Sequence, residues 1–196
     1  MTVLEDRIAM AEMSGELTLD VMFEWLEKMP IPEGTRVEIV GGNIFMSPQR
    51  DTHWEIIRRV VRALEDRFGM AAKIFSDVRI DFPGPLNGFC PDVAKLREGA
   101  QKNSEGHWRH EDVEFVAEVI SKGTATNDYG PKKAAYAKAE VPVYLIADPY
   151  QGRCHIFSHP KDDDYSTETK LSFGEEVDLT DTVVGLTLKT DEFPRD

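Results

Sequence analysis

Two carboxylates stand where a carboxylate is costly. In "EFVAEVISKG", residues 114–123, Glu118 lies among Phe115, Val116, Ala117, Val119 and Ile120, which read as a short buried strand. In "GFCPDVAKL", Asp92 follows Pro91 and opens a second apolar strand, 26 residues before Glu118. An ionised carboxylate taken out of water needs a compensating partner. If the two strands lie side by side, joined through the polar loop 98–112, both acids fall on one face and share a cation. Hard cations such as magnesium take oxygen ligands, keep several waters, and are held by one or two carboxylates together with substrate phosphates. The spacing also fits a plainer reading, with Asp92 as a turn residue at a strand start and Glu118 as a solvent-facing position on an edge strand.

Other residues qualify as candidates on type and position. Glu38 is flanked by Val37 and Ile39 in an alternating run; it is either a third acid of the same site or an outward-facing strand residue. Lys132 and Lys133 fall in the first turn of a helix, where the dipole favours anions; a nearby carboxylate or phosphate explains them, and so does simple exposure. His53 opens a helix carrying Arg58, Arg59, Arg62 and Arg67. His53 and Arg58 could touch a phosphate-bearing substrate, although a surface histidine is the simpler reading and the arginines have acidic neighbours at i,i+3 and i,i+4 spacing. His107 and His110 sit in a polar loop, and His155 and His159 lack a third ligand. Cys90 and Cys154 have no disulfide or zinc-ligand pattern and read as buried apolar residues.

Several elements must position these side chains. Thr18 caps a helix over 19–29 with Leu19, Met22, Phe23, Leu26 and Met29 on one stripe, ended by Pro30 and Pro32. "TRVEIVGGNIFMSP" is a hairpin turning at Gly41-Gly42, whose glycines supply the positive φ such turns need. A second helix spans 52–68, with Ile57, Val60, Val61, Leu64 and Phe68 at 3–4 residue spacing and Gly69 as its C-cap. Strand-like runs follow at 72–81, 91–96 and 113–121, separated by the turn-rich "FPGPLNG" and the loop 98–112. Residues 128–140 read as a third helix with Pro131 in its first turn. "VPVYLIADP" and "RCHIFSH" are consecutive strands, "KDDD" at 161–164 is a solvated loop, and strands near 165–171 and 184–189 close the chain. Helices, hairpin and strands in this order make one α/β domain with a mixed sheet.

Composition limits the function classes. The chain has 196 residues, 41% hydrophobic and 30% charged, with no apolar run long enough to span a membrane. The N-terminus lacks the pattern of a secretory signal, so the expected compartment is the cytoplasm. The net charge is −13, which opposes non-specific binding of nucleic acid. That charge resides at the ends: residues 1–35 carry −6, residues 160–196 carry −7, and 36–159 are neutral. A neutral middle permits a phosphate-binding cleft.

The order "RVEIVGGNIFMSP", a helix begun by histidine, "PDVA", "FVAEVISKGT", "NDYGPKKAAYAKAEVPVYLIADP" and "VGLTLKTDEFP" resembles the Uma-type restriction-endonuclease family, part of the PD-(D/E)xK nuclease superfamily, from Leu17 to Phe193. The resemblance implies a restriction-endonuclease-like mixed sheet flanked by helices, preceded by an N-terminal extension over 1–16. It makes Asp92 the superfamily aspartate, Glu118 the second metal-binding acid, and Glu38 the early acid beside them. The superfamily lysine is expected two residues after Glu118, where Ile120 stands; Lys132 falls on the position of the lysine thought to substitute in this family, with Lys133 as the fallback. Gly41 and Lys122-Gly123 depart from the family's usual aspartate and proline-serine pair. The implied activity is magnesium-dependent hydrolysis of a phosphodiester, with manganese as a substitute ion. DNA is the expected substrate, RNA the alternative, and a homodimer the expected assembly, because paired sites suit a two-fold symmetric duplex. The competing reading is a nuclease fold kept as a non-catalytic binding or assembly module.

Overall fold

The computed structural model describes residues 17–48 and 50–196; the N-terminal extension over 1–16 and Gln49 lie outside the described residues. The chain divides into two compact units, up to Thr35 and from Arg36 to Asp196. In the first, helix α1 (Leu19–Glu27) is capped by Thr18, whose hydroxyl accepts from the Val21 amide. It stops two residues short of the expected end. Lys28 and Met29 instead bond three residues back, to Trp25 and Leu26, ahead of Pro30.

The second unit carries everything that shapes the site. Strand β1 (Thr35–Val40) turns into β2 (Asn43–Pro48) through Gly41 and Gly42, at φ +57° and +77°, the left-handed pair a two-residue hairpin requires. Helix α2 (Asp51–Phe68) ends on Gly69 as its spacing predicts. The expected run 72–81 resolves into two short strands, β3 (Ile74–Phe75) and β4 (Ile80–Phe82). The "FPGPLNG" stretch, read as turn alone, is the bend of a hairpin: β4 pairs with β5 (Asn87–Phe89) across it. The Asn87 side chain fastens this bend, donating to the Pro83 carbonyl and accepting from the Gly41 amide. Strand β6 (Val93–Leu96), the two-residue β7 (Trp108–Arg109) and β8 (Val113–Val119) follow.

The third helical segment begins at Ala125, earlier than its pattern predicts. One α-turn over Ala125–Asn127 leads into a π-turn, Asp128–Lys132, and then helix α3 (Lys133–Lys138). Pro131 lies inside the π-turn, where its missing N–H fits a locally widened ladder. Strands β9 (Val143–Asp148), β10 (Arg153–Lys161), β11 (Asp164–Ser172), β12 (Glu176–Asp178) and β13 (Thr187–Lys189) complete the chain.

The main sheet is mixed, in the order β11-β10-β9-β8-β6-β3. Only β8 and β9 within it are parallel, and the helical segment 125–138 makes the crossover between them. A second sheet runs β2-β1-β5-β4-β7, and β12 pairs with β13. Strand β8 is buried on both faces, so its apolar residues are nearly continuous. Phe115, Ala117 and Val119 pack with Ile56, Ile57, Val60 and Leu64 of α2. Val116 and Ile120 pack with Phe89 of the second sheet and Tyr136 of α3. Glu118 shares the parity of Val116 and Ile120, which aims it at this second interior.

Candidate active site

Register brings the two acids together. Strands β6 and β8 are antiparallel with Val93 opposite Ala117, which sets Asp92 across from Glu118. The Asp92 amide lies 3.3 Å from Glu118 Oε2, and the Val119 amide donates to Asp92 Oδ2 at 2.7 Å. The side-by-side arrangement holds, and the edge-strand reading of Glu118 does not: β8 is central and the side chain has 0% exposure.

Glu118 is satisfied by the protein itself. Its Oε1 accepts from the Tyr136 hydroxyl at 2.6 Å and lies 2.7 Å from Lys132 Nζ; its Oε2 lies 3.4 Å from Arg36 Nη1. Glu38 is inward-facing, contrary to its plainer reading. The alternation of β1 turns Arg36, Glu38 and Val40 inward and leaves Val37 half-buried. Lys132 Nζ reaches Glu38 Oε2 at 2.9 Å and lies 3.0 Å from Asp128 Oδ1. Arg36 Nη1 donates to Asp92 Oδ1 at 2.5 Å and to the Cys90 carbonyl at 3.3 Å.

The result is a buried cluster of four carboxylates, Glu38, Asp92, Glu118 and Asp128, against two cations, Arg36 and Lys132. The titration directions follow from that imbalance. Burial pushes Glu118 up, but Lys132 and Arg36 outweigh it and hold the carboxyl below its usual range. For Asp92 burial wins over Arg36, and its carboxyl is raised to about 7. Asp128 is likewise raised to about 7 by burial, against Lys132, with the charges of Glu118 and Glu38 adding to the rise. Burial acts to lower the Lys132 ammonium, yet Asp128, Glu118 and Glu38 together raise it. Asp77, in a left-handed turn at φ +59° near β4, is raised mainly by burial and feels Arg36, Glu38 and Glu118.

A cavity of about 20 Å³ opens beside the acids, lined by Arg36, Ser47, His53, Trp54, Asp92 and Val119 among others; that is room for about one water. His53 is buried rather than superficial. Its Nε2 lies 2.7 Å from the Ile120 carbonyl, which can only accept, so Nε2 carries the proton.

Four of the expected residues, Glu38, Asp92, Glu118 and Lys132, therefore meet, and His53 stands beside them. Lys133 turns away to Asp164 Oδ1 at 2.8 Å, and Arg58 is exposed and paired with Glu55 at 2.7 Å. Three residues of the cluster escape a reading of the sequence: Arg36, Asp128 and Tyr136. Their signals were periodicity alone. Arg36 and Glu38 share one face of a strand, and Asp128, Lys132 and Tyr136 recur every fourth residue along a helix.

The donor set fits a hard divalent cation. All the anionic ligand atoms are carboxylate oxygens, and Asp92 and Glu118 already converge on one cationic group, the Arg36 guanidinium. Fully ionised, the four acids exceed the two cations by two charges, the charge of one such ion.

The sequence profile of the Uma2 family, described as "Putative restriction endonuclease", matches residues 23–191, a span that contains every residue of the cluster. No functionally curated protein matches the chain. Among solved structures, one described as a "putative nuclease belonging to DUF820", from Anabaena variabilis, matches with a TM-score of 0.67 and 16% identity, covering 90% of this chain and 97% of that one. At that identity the likeness is one of fold.

Proposed function

The chain belongs to the Uma2 putative restriction endonuclease family, and from that premise we propose that it is a magnesium-dependent endonuclease acting on DNA. The observation that carries this reading is the convergence of Asp92 and Glu118 on one cationic position, next to a water-sized cavity and within a cluster of four carboxylates against two cations. Asp92 and Glu118 would hold the ion, with Glu38 and the Val119 carbonyl as further oxygen donors. When bound, the ion supplies a water of lowered pKa and stabilises charge developing at phosphorus.

The chain's own residues do the rest. Tyr136 and Lys132 fix the orientation of Glu118 through its Oε1. The Val119 amide fixes Asp92 through Oδ2. Lys132, wholly enclosed, pairs with both Glu38 and Glu118 and holds them close together. His53 hydrogen-bonds through Nε2 to the Ile120 carbonyl, which fixes its ring in the wall of the cavity. Arg58 and the neighbouring arginines of α2 offer outer phosphate contacts.

One observation favours the alternative, a nuclease fold retained for binding. Lys132 is saturated by three carboxylates, and Ile120 occupies the position two residues after Glu118 where a mobile lysine is expected. The readings separate on a panel of DNA and RNA substrates, duplex, single-stranded and branched, incubated with magnesium or manganese. Endonuclease action predicts cleavage of at least one substrate, abolished in Asp92→Asn and Glu118→Gln. Binding without cleavage, unaffected by either substitution, supports the module.

A further inference from the structure

We propose that Arg36 is the site's exchangeable counter-ion. It fills the cation position between Asp92 and Glu118 when no metal is bound, leaves those oxygens when a divalent ion enters, and then takes the substrate phosphate as its new anion. This inference rests on the metal-dependent reading above.

The geometry makes guanidinium and ion mutually exclusive. A single nitrogen, Arg36 Nη1, lies 2.5 Å from Asp92 Oδ1, 3.4 Å from Glu118 Oε2 and 3.3 Å from the Cys90 carbonyl. Magnesium binds oxygens at about 2.0–2.1 Å, so an ion held by the same two carboxylates needs the space that nitrogen occupies.

The two cations of the cluster differ in how they are held. Lys132 is fully enclosed, with Asp128, Glu118 and Glu38 around its ammonium. Arg36 borders the water-sized cavity together with Ser47, His53 and Trp54, so of the two cations it is the one with a side toward an opening, while β1 keeps its backbone fixed. Of the two, Arg36 is the one free to leave.

Chemistry then selects its destination. A guanidinium cannot shed its proton in a protein, so one displaced from two carboxylates still requires an anion. Its planar fork of donors matches a phosphate. A phosphate that meets an ion on Asp92 and Glu118 must approach from the side of the cavity, which Arg36 borders. Metal entry and substrate capture are thereby coupled: the ion frees the arginine, and the arginine helps hold the phosphate.

The test is a manganese titration by calorimetry into wild type, Arg36→Gln and Arg36→Lys. It is paired with binding of a DNA oligonucleotide in calcium, to hold off cleavage. Counter-ion exchange predicts that Arg36→Gln binds manganese at least about tenfold more tightly, since a competing charge has been removed. Its oligonucleotide affinity in calcium should fall by a similar factor. Arg36→Lys keeps a charge in the cluster but has a shorter reach and lacks the planar fork that matches a phosphate; it should shift both affinities in the same directions by less. Manganese affinity that is equal or weaker in both variants overturns the proposal, because Arg36 would then only hold Asp92 in place. Oligonucleotide affinity unchanged in both overturns the phosphate step. If manganese binding depends on Asp92 but ignores Arg36, the exchange fails and the metal-dependent reading stands. If no Asp92-dependent binding exists, that reading itself fails.

Discussion

Each oxygen of Glu118 has its partners inside the protein, and the cost of removing one follows from its burial. Taking away one member of a buried ion pair leaves an uncompensated charge and costs about 3–5 kcal/mol. Lys132→Met strands three carboxylates at once, so we expect at least that loss of stability in urea unfolding; a loss near zero would mean the cluster relaxes freely. Tyr136→Phe removes one hydrogen bond to a charged group and should cost about 1.5–3 kcal/mol. The pH dependence has a definite sign. An unfolded chain releases the Asp128 proton near pH 4, while the folded protein keeps it to about 7. Between those values the folded state binds more protons, so stability falls as pH rises. Without divalent ions, the protein should therefore melt higher at about pH 5.5 than at about pH 7.5, with a smaller difference in Asp128→Asn. The same pH difference in the variant would contradict this assignment. Asp92 and Glu118 were legible because each interrupts an apolar run. Arg36 and Asp128 were not, since a charged residue in an alternating strand or on a helix looks the same in sequence whether it faces water or a buried partner.

At the scale of elements, the π-turn over Asp128–Lys132 sets the direction of the lysine. Each residue in an α-helix advances about 100°, so excising Gly130 to restore α-helical spacing should swing Lys132 off the acids. We expect that variant to lose stability about as much as Lys132→Met does in the same urea experiment; wild-type stability would show that the turn is incidental. The long elements were readable from periodicity: α2 and its glycine cap, the Gly41-Gly42 hairpin, and β8 to β10. The short ones were not. Strands β4 and β5 have three residues each around a proline-glycine bend, too few for a period to register, and their pairing is fixed by contacts distant in sequence. The π-turn was hidden for a related reason, since Pro131 is compatible with a helix start and the widened turn is dictated by the buried contacts of Lys132.

For the molecule as a whole, the acidic balance sets how a nucleic acid must approach. With −13 overall, metal-free protein should bind DNA weakly at physiological salt and gain affinity when divalent ions are added, a difference that filter binding or anisotropy would record. We expect a homodimer by light scattering at micromolar concentration; a strict monomer would remove the argument from two-fold symmetry. The central claim is that Asp92 and Glu118 form a metal site, and one measurement addresses it without knowledge of the substrate. Manganese and magnesium titrated calorimetrically into wild type, Asp92→Asn and Glu118→Gln should give saturable heat in the wild type that disappears in both variants. Saturable heat that persists unchanged in both variants would contradict the account.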